Sequence, residues 1–145
     1  MHPPTVPAAV AALRAHGLRI SAARRLVLEA LSAAGGPVSV EELAGGLGGR
    51  LPASDVASTY RNLETLEALG IVRHVHLGHG PGRYALTGGA EPEYLACERC
   101  GDFVITDPRG LEPVRRLVRE AFGFEARFSH FPIVGLCPSC AEADR

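Results

Sequence analysis

The sequence predicts an α+β fold, in which an N-terminal winged helix-turn-helix precedes a small α/β unit built around four cysteines. Three observations predict it. Apolar stripes at helical spacing, with polar caps and glycine stops, occupy residues 7–69; two strand-like runs flank a glycine-rich turn over 71–86; two Cys-x-x-Cys pairs bracket most of the rest.

The chain has 145 residues, enough for one domain or two small ones. With 46% hydrophobic residues and a mean hydropathy of +0.09 it can build a core, which excludes wholesale disorder. No apolar run approaches the roughly 20 residues that span a bilayer, and the N-terminus lacks the pattern of an export leader, so a cytoplasmic protein without a membrane partner is expected. The net charge of −1 hides a segregation. Residues 1–83 carry eight arginines against six acidic residues, and residues 84–145 carry seven against ten. Arg14, Arg19, Arg24 and Arg25 stand in a stretch of 25 residues with no acid, which suits a surface facing a polyanion or simply a solvated helix face.

The elements follow in order. Val6, Val10 and Leu13 mark a first helix over 7–17 that Gly17 ends. Ser21 caps a second, 22–34, whose stripe is Leu26, Val27, Ala30 and Leu31, and Gly35-Gly36-Pro37 stops it. Ser39 caps a third with Glu41 and Glu42 in its first turn, where the helix dipole favours negative charge, and the glycines at 45, 46, 48 and 49 finish it. Ser54 or Asp55 caps a fourth, 56–69, with Val56, Leu63, Leu66 and Leu69 inward and Ser58, Thr59, Tyr60, Arg61 and Asn62 forming a polar face. Residues 71–77 and 83–86 pair as the wing. The expected organisation is residues 1–86, a linker over 87–92, and a second domain over 93–145. That domain has strands at 94–96, 103–106 and 126–134 and a helix at 111–122. At roughly 55 residues it would be marginal alone and calls for a metal staple, a partner subunit, or both.

Cys97 and Cys100 form one knuckle, Cys137 and Cys140 the other. A two-residue gap lets both thiolates of a pair bind one ion, and two pairs complete a tetrahedral zinc site; redox pairs or a thiol switch are the other reading. The 36 residues between the pairs exceed the roughly 15–20 of a simple ribbon, so a helix and a strand must lie inside the loop. His74 and His76, two apart on a strand, project from one face, and His130, with His79 as a further candidate, can complete a second metal site. Imidazole donors suit Ni, Zn, Cu or Fe(II); exposed polar positions or phosphate contacts are the alternative. No Ser/His/Asp or Cys/His catalytic grouping and no phosphate-cradling loop stands in the sequence, so neither an enzyme nor a small organic substrate is expected.

Residues 20–28 (Ile20-Ser21-Ala22-Ala23-Arg24-Arg25-Leu26-Val27-Leu28), then Ser58-Thr59-Tyr60-Arg61-Asn62-Leu63, then the paired cysteines, together resemble the ferric-uptake regulator (Fur) family of metal-dependent repressors. The stretch His74-Val75-His76-Leu77-Gly78-His79-Gly80 and residues 122–135 look closest to its nickel-uptake (Nur) branch. The resemblance implies a homodimer whose winged helices enter adjacent major grooves of double-stranded DNA while the second domains join across the two-fold axis. It implies that Tyr60 touches base edges and that Arg61 and Arg19 touch the backbone. It also implies a sensed metal, nickel or another divalent ion, on His74, His76 and His130. The chain departs from the family where a second histidine-rich site would lie. Ala90-Glu91-Pro92-Glu93-Tyr94 replaces a histidine cluster, Gly35 or Gly36 replaces a further histidine, and Ala85 replaces an often acidic position. Glu91 and Glu93 are then solvated acids or oxygen ligands, and a peroxide-sensing reading, which needs iron held by histidine and carboxylate, is weakened.

The expected mechanism is a hinge. Metal on His74, His76 and His130 holds each DNA-binding half at the one angle that fits half-sites about 10–10.5 base pairs apart, or a multiple. Such coupling is typically about 1–3 kcal/mol. Protonating the histidines releases metal, so DNA affinity should fall as pH drops toward about 6. Arg19, Arg24 and Arg61 would supply salt-dependent affinity, and Tyr60 with Ser58 and Thr59 the discrimination. Two alternatives stand beside it: a constitutive DNA-binding regulator of the same family with structural zinc alone, and a thiol-switch or zinc-ribbon module that binds protein.

Overall fold

The computed structural model describes residues 5–78, 80–88 and 91–145, which divide into two compact units. The first comprises Met1–His74 and Arg83–Gly89, the second Val75–Gly82 and Ala90–Arg145. The turn between the wing strands, which the sequence reading assigns to residues 1–86, groups with the second unit.

In the first unit the helices are α1 (Val6–Ala15), α2 (Ala22–Ala34), α3 (Val40–Ala44) and α5 (Val56–Ala68), with α4 (Gly46–Gly49) a single turn whose Leu47 and Gly48 have left-handed backbone angles. The caps are those the sequence calls for. Ser21 accepts from the Arg24 N–H at 3.1 Å and Ser39 from that of Glu42 at 3.2 Å, each satisfying a donor the helix leaves unpaired. Between Ser54 and Asp55 the cap falls to Asp55, which accepts from the Ser58 N–H at 2.8 Å. Gly46 has φ +71, and a Cβ there would lie 2.1 Å from the Leu51 carbonyl oxygen, so only glycine fits the turn after α3. The core gathers Leu13 of α1, Leu28 and Leu31 of α2, Leu43 of α3 and Leu63 and Leu66 of α5.

Three expectations need correction. Val56, expected inward, is 50% exposed: the buried face of α5 begins at Thr59 and continues through Leu63 and Leu66. Leu28 rather than Leu26 is the fully buried leucine at the centre of the α2 stripe. A two-residue strand, β1 (Val38–Ser39), escapes a periodicity search yet pairs with β3 (Arg83–Leu86), giving a three-stranded sheet ordered β1-β3-β2 with β2 at Val72–Val75.

In the second unit β4 (Glu93–Cys97) is the central strand. It pairs antiparallel with β5 (Phe103–Thr106) and parallel with β6 (Ile133–Gly135). A 3-10 turn at Pro108–Leu111 leads into α6 (Glu112–Phe122), and α7 (Pro138–Ala143) follows β6. The strand expected over 126–134 shrinks to Ile133–Gly135, because the preceding backbone bonds to Glu93, Tyr94 and His76 instead of entering a ladder. Tyr94, with no exposure, packs with Val75, Leu77 and Phe103 in a small core. α6 buries none of its residues and leaves Leu117 65% and Phe122 73% exposed. Among the described residues, no helix is long and apolar enough to cross a membrane.

Candidate functional site

The parallel pairing of β4 with β6 sets Cys97 opposite Gly135, two residues before Cys137. The chain turns tightly after Cys97: Gly101, at φ +80, donates its N–H to the Cys97 carbonyl at 3.1 Å, which brings Cys100 back beside its partner. On the other side Cys137 stands at the N-cap of α7 and Cys140 in its first turn. All four sulfur atoms lie within 4.8 Å of one another, and Cys100 Sγ is 3.8 Å from Cys137 Sγ. Ligands about 2.3 Å from a tetrahedral zinc sit about 3.8 Å apart, so the quartet fits zinc. Arg99 ties the knuckles together, donating to the Cys140 carbonyl at 3.1 Å and to Asp144 at 2.6 Å. Backbone N–H groups of Cys100 and Cys137 hold the Cys97 thiol down to about 6. The Cys137 side chain and burial push Cys140 up to about 12.

His76 and His130, both exposed in the second unit, meet edge to face with ring centroids 5.6 Å apart. Two imidazoles on one ion put their centroids roughly 5–6 Å apart, given metal–nitrogen bonds near 2.0–2.1 Å, so this pair fits a shared metal. The backbone joins them as well, His76 N–H donating to the His130 carbonyl at 3.4 Å. Phe131 flanks both rings. His74, in the first unit, stacks flat on Tyr84 at 4.6 Å. Stacking engages the face of an imidazole, whereas its nitrogen lone pairs lie in the ring plane. His79 lies outside the described residues, as does Ala90.

Glu93 is 5% exposed and both its oxygens are engaged. Oε1 takes Arg115 Nη1 and Oε2 accepts from the Phe128 N–H at 3.0 Å. Glu91 is exposed. Of the two carboxylates considered as oxygen ligands, the buried one therefore holds an arginine, a partnership invisible in the sequence because 22 residues separate the two.

On the first unit, Tyr60 is 46% exposed, and Arg19 and Arg61 are exposed. Arg24 is half-buried and ties α2 to α5, donating to Asn62 Oδ1 at 3.3 Å and to the Arg19 carbonyl at 2.9 Å. Thr59 departs from expectation. It is 2% exposed, donates to the Asp55 carbonyl at 2.9 Å and meets Ser54 Oγ at 2.9 Å, because the period of α5 turns it toward Leu63 and Leu66. It steadies the helix start from within, and Ser58, half-buried, stands beside it at the cap.

The model of the ferric uptake regulator family matches residues 15–129. The chain belongs to the ferric uptake regulator family. Among its relatives, the peroxide operon regulator of Bacillus subtilis is 26% identical over 136 residues, 94% of this chain and 93% of its own. The peroxide-responsive repressor of Staphylococcus epidermidis is 26% identical over 133 residues, 92% of this chain and 88% of its own. The Helicobacter pylori ferric uptake regulator, whose structure is described as having three functional metal-binding sites, shares the fold with a TM-score of 0.74 over 100% of both chains at 19% identity. A zinc uptake regulator solved with zinc and DNA gives a TM-score of 0.55 at 24% identity, over 96% of this chain and 94% of that chain. These relatives establish the ferric uptake regulator family and a metal-responsive transcription regulator; they do not single out the nickel branch.

Proposed function

We propose that this member of the family is a homodimeric repressor that binds an inverted-repeat operator when a divalent ion, nickel first among the candidates, joins His74, His76 and His130. The observation that carries the reading is the pairing of His76 with His130: two accessible imidazoles at a spacing suited to one ion, joined by a backbone hydrogen bond. His74 is the third donor, two residues before His76 on the same run of chain. Zinc in the cysteine quartet is structural in this reading, since four protein sulfurs fill a tetrahedral shell and leave no open position. The sensed ion supplies bonds to these imidazoles, and the protein supplies everything that reads DNA.

The test is metal analysis of the purified protein followed by DNA-binding titrations with each divalent ion, for wild type and His74→Ala. The expected result is two metals per chain and nickel-dependent binding that the substitution abolishes. One metal per chain and unchanged binding would retire it in favour of a constitutive regulator. The named relatives give a second reading its own arm: iron-dependent binding lost on peroxide treatment would favour peroxide sensing. On the DNA side, Arg61→Ala should weaken all duplexes about equally and lower the salt slope by about 1, while Tyr60→Ala should relax sequence preference. Gel shifts on matched and scrambled duplexes that gave the reverse would exchange the two roles.

A further inference from the structure

Residues 123–132, between α6 and β6, belong to no helix or strand, so their backbone has no ladder of its own to fix it. The segment carrying His130 is nevertheless held from both sides at Phe128. Its N–H donates to Glu93 Oε2 at 3.0 Å, and its carbonyl accepts from the Tyr94 N–H at 3.3 Å. Two residues later the His130 carbonyl accepts from the His76 N–H. The first of these bonds depends on a charged side chain brought out of water. Glu93 is 5% exposed, and its other oxygen meets Arg115 Nη1, whose Nε donates in turn to Glu112 Oε2 at 2.9 Å. A carboxylate so buried is expensive unless paired and hydrogen-bonded, and here the guanidinium and one backbone N–H meet that need together.

We infer that Glu93 and Arg115 are positioning residues for the His76–His130 metal site: an internal guanidinium occupies the place of a cation beside Glu93, and the clamped carboxylate holds the His130 segment at its spacing. The inference rests on the proposed role of those histidines. Arg115 is suited to the task because a planar fork reaches two carboxylates at fixed angles, which an ammonium cannot do. Glu93→Gln keeps the shape and an oxygen for the Phe128 N–H but removes the charge that orders Arg115. Arg115→Lys keeps the charge and removes the fork.

The experiment titrates nickel into zinc-loaded full-length protein, wild type and variants, with His130→Ala as a second background. Outer partners of metal ligands typically alter affinity by about 10–100-fold, so Glu93→Gln and Arg115→Lys should each weaken nickel binding within that range. Zinc content should stay unchanged, and neither substitution should weaken nickel further once His130 is gone. Amide exchange at Phe128 in the nickel-free protein should quicken in both variants, a change that loss of an unrelated contact would not localise there. Wild-type nickel affinity in a folded variant would overturn the inference while leaving the proposed function intact, as would equal losses in the His130→Ala background. Failure of wild type to take up a second ion would overturn the metal reading itself and the positioning role with it. Should Glu93→Gln fail to fold, Arg115→Lys carries the same comparison.

Discussion

At the scale of single residues, direction of burial separates roles that composition leaves together. Tyr60 and Thr59 are neighbours in one polar run, yet the first faces solvent and the second is buried, hydrogen-bonding to Asp55 and Ser54 at the start of α5. Thr59→Val should therefore destabilise the fold by about 1 kcal/mol, the usual worth of a buried hydrogen bond, without altering sequence preference; urea melts and gel shifts read the two effects separately. The cysteines show how one site sets different proton affinities. Cys97 is held near 6 by backbone donors while Cys140 is pushed up to about 12, and Cys100 is raised as well. Thiolates are the form that binds zinc, so zinc uptake by the stripped protein near neutral pH should release about two protons or more, from Cys100 and Cys140 at least. Calorimetry in buffers of different ionisation enthalpy counts them; release of none would mean the quartet is not the ligand set.

At the scale of elements, the second unit is held less by apolar packing than by connections made to β4. Tyr94 anchors a core of few residues, the parallel β4–β6 register delivers the cysteines to one another, and Arg115 links α6 to Glu93. Breaking a buried pair by removing one partner strands the other, so Glu93→Ala should cost about 3 kcal/mol. Glu125 offers the contrast. Arg119 beside it holds its carboxyl below the usual range, so the pair's contribution is present above ordinary glutamate values and fades as pH falls through the lowered one. Being open to solvent, that pair is screened by salt, and Glu125→Ala should leave the melting temperature unchanged within error. A thermal scan of both variants would reject this ranking if Glu125 proved the costlier. Helices α2 and α5 were legible in advance because their caps and stripes sit within a few residues of one another. The last strand was not, because residues 126–132 have strand-like composition but make scattered bonds, to the Glu93 side chain and to the Tyr94 and His76 N–H groups, that form no regular ladder.

At the scale of the whole molecule, the second unit exposes apolar groups that a solitary chain would leave in water: Val104 at 58%, Leu117 at 65% and Phe122 at 73%. Association of two copies through this unit would cover them and set two reading heads on one duplex. Sedimentation should find a dimer at micromolar concentration, and Leu117→Glu should shift it toward monomer and weaken operator binding together. A monomeric wild type that still bound an inverted repeat tightly would dismiss the dimer.

Local signals are complete within a few neighbouring residues, and by themselves they determined the capped helices, the wing and the presence of two thiolate knuckles. Only the folded chain decided which side of α5 Thr59 faces, that Glu93 holds an arginine, and that His76 meets His130. Those outcomes depend on helical phase and on strand register, and they join groups 22 and 35 residues apart in the Glu93 cluster alone. The reason is physical: a cap or a knuckle is closed by covalent proximity, whereas a buried charge finds its partner only after the strands have paired and water has been excluded.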